Sequence, residues 1–173
     1  MELPGSGYLY TLALLAITYG GFAALFMLFR QELAGRMIDY EAFLIRGVVQ
    51  KGFIVAACSM VPPLLAYFDL AHSTIWRVSS LIAGALQVLF LATWVARRRT
   101  VSDIPTSKWL TLNLLLQLVT AIFLFVGATG LLFAAGPGAF LVGVTAILFL
   151  SGIAYQEALV FLLHDSPRKR SKR

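Results

Sequence analysis

Residues 43–68, FLIRGVVQKGFIVAACSMVPPLLAYF, have the length and apolarity of a membrane-crossing helix, yet they hold Arg46, Gln50 and Lys51 near the start and Pro62-Pro63 further along. Whether lipid or water surrounds this stretch decides the fold. The composition answers first: 60% of the 173 residues are hydrophobic, only 13% are charged, and the mean hydropathy is +0.85. A water-soluble domain of this size would leave too much apolar surface in contact with water. Runs of about 20 apolar residues, enough to cross about 30 Å of hydrocarbon, recur along the chain.

Five runs are predicted to span the bilayer: about 8–29, 53–70, 75–95, 110–134 and 139–163. Unpaired backbone amides are costly in hydrocarbon, so each run is expected to be an α-helix or part of a closed barrel. Barrel strands alternate apolar and polar residues over about ten positions, and these runs do not. The expected architecture is an all-α integral membrane protein, a single five-helix bundle over residues 1–173 with short loops and a basic tail at 164–173. The leader MELPGSG carries Glu2 and no Lys or Arg, and the run after it is long for a signal peptide, so the first run reads as a retained span.

Orientation follows from where Lys and Arg fall, because cytoplasmic loops accumulate them. Arg30, Arg36, Arg46 and Lys51 flank the first connection, Arg97, Arg98, Arg99 and Lys108 the third, and the tail RKRSKR holds the rest, leaving Arg77 alone on the other side. Five spans with that bias place the N-terminus outside and the C-terminus in the cytoplasm, in a multi-pass protein of the cell membrane. Tyr8, Tyr10, Tyr67 and Trp76 then fall at the outer interface, and Tyr40, Trp94 and Trp109 at the inner one, as an aromatic belt would.

In this frame the second span begins near Gly52. Arg46 and Lys51 then reach cytoplasmic headgroups with their stems in hydrocarbon, which avoids the roughly 2.5 to 3.5 kcal/mol cost of a charge at a helix centre. The competing frame, 43–62, buries both charges. The residues before Gly52 form an interfacial helix in the favoured frame. Pro62 and Pro63 lack amide hydrogens and crowd the carbonyls of Cys58 and Ser59, so a helix kink is expected at these prolines.

Polar residues inside the runs are the candidate site. Asn113, Gln117 and Thr120 recur at helical spacing on one face of the fourth span, which should look into the bundle or onto a partner chain, either as interhelical glue or as the lining of a polar path. Glu157 is the one acid inside a predicted span; at a depth like that of Arg46 and Lys51, it would pair with one of them. Asp69, His72 and Arg77 form an outer patch on one short connection, which could bind a ligand or respond to pH. Gly20, Gly21, Ala24, Gly127, Gly130, Gly143, Ser151 and Gly152 mark expected close helix contacts, and the GPG turn at 136–138 makes the fourth and fifth helices neighbours.

Enzyme chemistry finds little support, and no cofactor or metal is expected. No Ser/His/Asp set lies on one side of the bilayer, and no phosphate-cradling glycine loop or HExxH occurs. His72 and His164 lie on opposite sides and cannot share a metal or haem. Cys58 is the single cysteine, so an internal disulfide is excluded. The net charge of +6 is explained by topology, and no groove-reading module accompanies it, so nucleic acid is not an expected partner. The expected partners are the bilayer itself, anionic lipid at the basic tail, and either a second copy of the chain or another membrane protein. Three functions remain: a non-enzymatic scaffold or accessory subunit acting through helix contacts, a small oligomeric transporter or channel using the fourth-helix stripe and Glu157, and, third, a membrane enzyme of unfamiliar motif, which would need a polar cavity with converging titratable groups.

Overall fold

Among the described residues the regular secondary structure is all helical. A computed structural model describes residues 3, 5–34, 39–99, 108–130 and 136–164, of which 30, 33, 34, 39–41 and 157–164 are described by backbone alone. Its helices are α1 (Ser6–Ala34), α2 (Asp39–Ala66), α3 (His72–Arg98), α4 (Lys108–Thr129) and α5 (Pro137–His164). Each holds a stretch of 20 to 27 residues apolar enough to cross a membrane.

Local chemistry sets several of the ends. Pro137 opens α5, where a missing amide hydrogen leaves no bond unmade. Gly130 closes α4 at φ 73°, in the left-handed region that glycine enters without a Cβ penalty. α2 closes with tight bonds, Tyr67 N–H to the Leu64 carbonyl at 3.2 Å and Phe68 N–H to Leu65 at 3.1 Å, before Asp69 turns the chain at φ 51°.

α2, α3, α4 and α5 close a ring in that order, each packed on the next and α5 back on α2. α1 lies outside the ring, along α2, with slight contact to α5. The buried seams repeat at spacings of three and four: Trp76, Ser80, Ala83, Gln87, Phe90 and Trp94 on α3, and Leu110, Asn113, Gln117, Ala121 and Leu124 on α4. This is the periodicity of helices crossing at shallow angles. Lipid tails provide no hydrophobic drive between helices, so close approach must stabilise the contacts. At the α1–α2 crossing Gly20 meets Gly52, where an added Cβ on Gly52 would lie 2.8 Å from the Ala16 carbonyl oxygen.

The two ends of the bundle are filled differently. One end carries the C-terminus of α3 and the N-terminus of α4, with Arg97, Arg98, Arg99 and Lys108; it is called the basic end here. Toward the opposite end, Leu9, Ile75, Trp76, Leu124, Phe140, Val144 and Ile147 form an apolar core, with the Trp76 and Phe140 rings 5.7 Å apart. Toward the basic end the core includes Phe90, Trp94 and Leu110, with the Phe43 ring tilted against Trp94, centroids 5.2 Å apart.

Several expectations shift. α2 is one helix from Asp39, with an apolar stretch of Ala42–Ala66, so its frame starts well before the expected 53–70 and absorbs the separate interfacial helix. α2 does not end at Pro62 and Pro63; both are buried, and helix continues to Ala66. Trp76 and Trp94 face the bundle interior rather than an interfacial belt. Gly21 and Gly152 meet no neighbouring helix, whereas Gly52 and Gly84, which local spacing did not single out, sit at contacts.

A candidate polar site built on Lys51

Lys51 departs most from expectation. It lies about 18 Å along α2 from Asp39, at about 1.5 Å per residue. Its side chain is only 4% exposed, and its ammonium has no hydrogen-bond partner. Its neighbour in space is the Phe90 ring, with Nζ 4.9 Å from the centroid. Such a cation–π contact contributes up to about 2 kcal/mol when desolvated, which does not replace a water shell. Arg46, grouped with Lys51 by sequence depth, faces away from the bundle. The two residues are five positions apart, and that spacing turns them to different faces of one helix.

At a similar depth, about 16 Å from Arg98 on α3 and about 14 Å from Lys108 on α4, stand Gln87 and Gln117. Their amides form a directional chain. Gln87 Nε2 donates to Gln117 Oε1 at 3.2 Å, Gln117 Nε2 donates to Asn113 Oδ1, and Asn113 Nδ2 donates to the Leu150 carbonyl of α5 at 2.8 Å. Three helices are thereby tied through one line of side chains. Each amide nitrogen uses one of its two hydrogens, leaving the other free. The chain starts at an unsatisfied atom, the buried Gln87 Oε1.

α5 is held from two sides at this level. The Ser151 carbonyl accepts from the Tyr19 hydroxyl of α1 at 2.6 Å, one residue beyond the Leu150 carbonyl that Asn113 engages. Tyr19 also meets Tyr155 edge to face, 5.4 Å between centroids. The Ser151 hydroxyl donates back to Ile147 at 2.7 Å.

Lys51, Asn113, Gln117 and Ser151, with Phe90 and Trp94, line a cavity of about 40 Å³ between α2, α3, α4 and α5. That is room for roughly three water molecules. Gly47 lines it on one side, facing the Trp94 indole, which a Cβ there would meet at 3.7 Å, an ordinary contact. Lys51 is the only charged residue among the described residues of the lining. Toward the basic end the wall leads to Arg98, whose guanidinium lies 5.6 Å from the Trp94 ring, and Arg97 donates to Gln50 at 3.3 Å.

Of the other sequence candidates, Thr120 is buried on the same face as Asn113 and Gln117, but its hydroxyl donates to Leu116 of its own helix at 2.9 Å and stays outside the chain. The side chain of Glu157, the tail 165–173 and the side chain of His164 lie outside the described residues. Asp69, His72 and Arg77 are all exposed, and no salt bridge joins them among the described residues. Pro62 and Pro63 are buried away from the cavity lining. Among the described residues no group of three His, Cys, Asp or Glu side chains could hold a metal ion. Gln87 was missed by spacing arguments confined to single polar residues; the heptad from Trp76 through Gln87 to Trp94 would have placed it inside.

Compared with family models, curated proteins and solved structures, the chain matches none.

Proposed function

We propose that this is a multi-pass protein of the cell membrane, N-terminus outside and C-terminus cytoplasmic, which takes a small polar solute or ion into the Lys51 cavity as part of transport. The basic end then faces the cytoplasm, and the tail lies on anionic lipid there. One observation carries the reading: a buried ammonium without a hydrogen-bond partner, beside a line of amides with free N–H groups. A bundle held only by packing gains nothing from such a group, because replacing buried charge with apolar side chains is often neutral or stabilising. Ionisable residues inside spans are expensive, and their usual role is functional.

The test is flux from proteoliposomes loaded with a panel of small cations, anions and neutral solutes. Native protein should pass at least one class faster than protein-free vesicles, and Lys51→Met should abolish that excess. A native rate equal to the empty vesicles for every solute removes transport. Protease-accessible tags on the two ends test the orientation; tags cut from the same side would reverse it.

A scaffold or accessory-subunit role is the second reading, favoured by the apolar core around Trp76, Leu124 and Phe140, which closes the half away from the cavity. It has the protein act through its outer helix faces.

A further inference from the structure

We infer that the Lys51 cavity is a site for a small monovalent anion, of halide, nitrate or short-carboxylate size. The inference rests on the proposed reading of the cavity as a solute site and names its ligand class.

Donors dominate the wall. The Lys51 ammonium offers three hydrogens and has no protein acceptor. Gln117 Nε2 and Asn113 Nδ2 each keep one N–H after bonding Asn113 Oδ1 and the Leu150 carbonyl. The neighbouring oxygens each already accept one hydrogen bond, Gln117 Oε1 from Gln87, Asn113 Oδ1 from Gln117 and the Ser151 carbonyl from Tyr19, so the unpartnered ammonium sets the sign of the site. The unsatisfied oxygen of Gln87 is not on the cavity wall. No Asp or Glu stands among the described lining residues, so a positive charge and spare donors converge on an empty volume. A metal cation would meet like charge there and find no free carboxylate, whereas an anion meets charge-assisted donors.

A single ammonium balances one negative charge, so a compact monovalent ion such as a halide, nitrate or formate suits this cavity of about 40 Å³, whereas sulfate would bring a second charge with no partner among the described lining residues. The approach is also cationic. Arg98 over Trp94, with Arg97 and Arg99 beside it, forms a positive rim one turn above the cavity lining, and a low-dielectric wall focuses that field. Phe90 and Trp94 link the rim to Lys51 along a single face of α3.

The experiment is thermal unfolding of the full-length protein in nanodiscs, at constant ionic strength, as sodium gluconate is replaced by chloride, nitrate or formate. Native protein should show a saturable rise in midpoint, about 2–4 °C once the site is mostly filled. Sulfate should give no saturable rise. Lys51→Met should unfold higher than native protein in gluconate and be insensitive to all three anions. Lys51→Arg should restore part of the anion dependence, which a merely structural lysine would not do. Equal responses in native and Lys51→Met protein, or no response in native protein, overturn the inference. Dependence that emerges only in Glu157→Gln also overturns it, because the counter-charge would then be that carboxylate. Cation flux without anion stabilisation would retain a solute site and remove this ligand class, so the two failures are distinguishable.

Discussion

The two halves of the bundle use one packing periodicity to opposite ends. Away from the basic end, Leu9, Ile75, Trp76, Leu124, Phe140 and Ile147 fill the seam, and the buried polar groups beside them are the small hydroxyls of Ser59, Ser79 and Ser80. Toward the basic end the same seam positions on α3 and α4 present Gln87, Asn113 and Gln117, and α2 adds Lys51. The first half resembles a protein core that happens to sit in lipid. The second keeps groups whose burial is unfavourable: the three amides bond one another, and Lys51, Asn113 and Gln117 face a small cavity. In a membrane, polar side chains cannot lower their energy by turning outward, so they gather where helices converge. The contrast teaches that the periodic seam fixes the fold, while the choice of residue at a few seam positions carries the chemistry.

The largest test of the contrast is Phe140→Ala. A fully buried ring on the seam should lose about 3 kcal/mol, the low end for such truncations, since lipid adds no hydrophobic drive to the cavity term. Unfolding in mixed micelles measures it; a loss under about 1 kcal/mol would mean that this half is loosely filled. Next is Gly52→Val, whose first added carbon would stand 2.8 Å from the Ala16 carbonyl. Backbone cannot yield as a side chain does, so α1 should lift from α2 with a loss of about 2 kcal/mol.

Lys51→Met should carry the opposite sign, a gain of about 1–2 kcal/mol in gluconate buffer, because it removes buried charge at nearly constant volume. Arg46→Met, on the face turned away from the bundle, should stay within about 0.5 kcal/mol. If the Lys51 variant unfolds earlier than native protein by more than that, the ammonium has a partner and the two halves differ less than argued. A small effect is also expected for the coupling in a cycle of Asn113→Ala and Gln117→Ala, near 0.6 kcal/mol, the average for an intramembrane hydrogen bond. Zero coupling would break the amide chain at its centre.

Much of the fold was legible because a bilayer imposes a coarse rule: a segment that leaves backbone groups in hydrocarbon must be a helix of about 20 residues. Five helices long and apolar enough to cross a membrane stand among the described residues, as five apolar runs predicted. The second span was expected to begin near Gly52 because Lys51 was taken as a residue that must reach headgroups, whereas α2 is helical from Asp39 and buries Lys51 among other helices. That inference treats a helix as alone in lipid; inside a bundle, neighbouring helices supply other surroundings. The site was legible in part, since Asn113 and Gln117 lie on an evident stripe, whereas Gln87 is a lone amide whose partner belongs to another helix.

The sequence by itself determined that this chain is five long apolar helices, through the length and hydropathy of its runs, and that α4 has one polar face, through helical period. Only the tertiary structure decided that α2, α3, α4 and α5 form the ring with α1 outside it, that Lys51 faces inward while Arg46 faces away, and that Gln87, Gln117, Asn113 and Leu150 join into one line. The reason is physical. Secondary structure in hydrocarbon follows from each segment's own backbone and solvent, but a polar side chain's state depends on which groups of other helices come within bonding distance, and that is a property of packing.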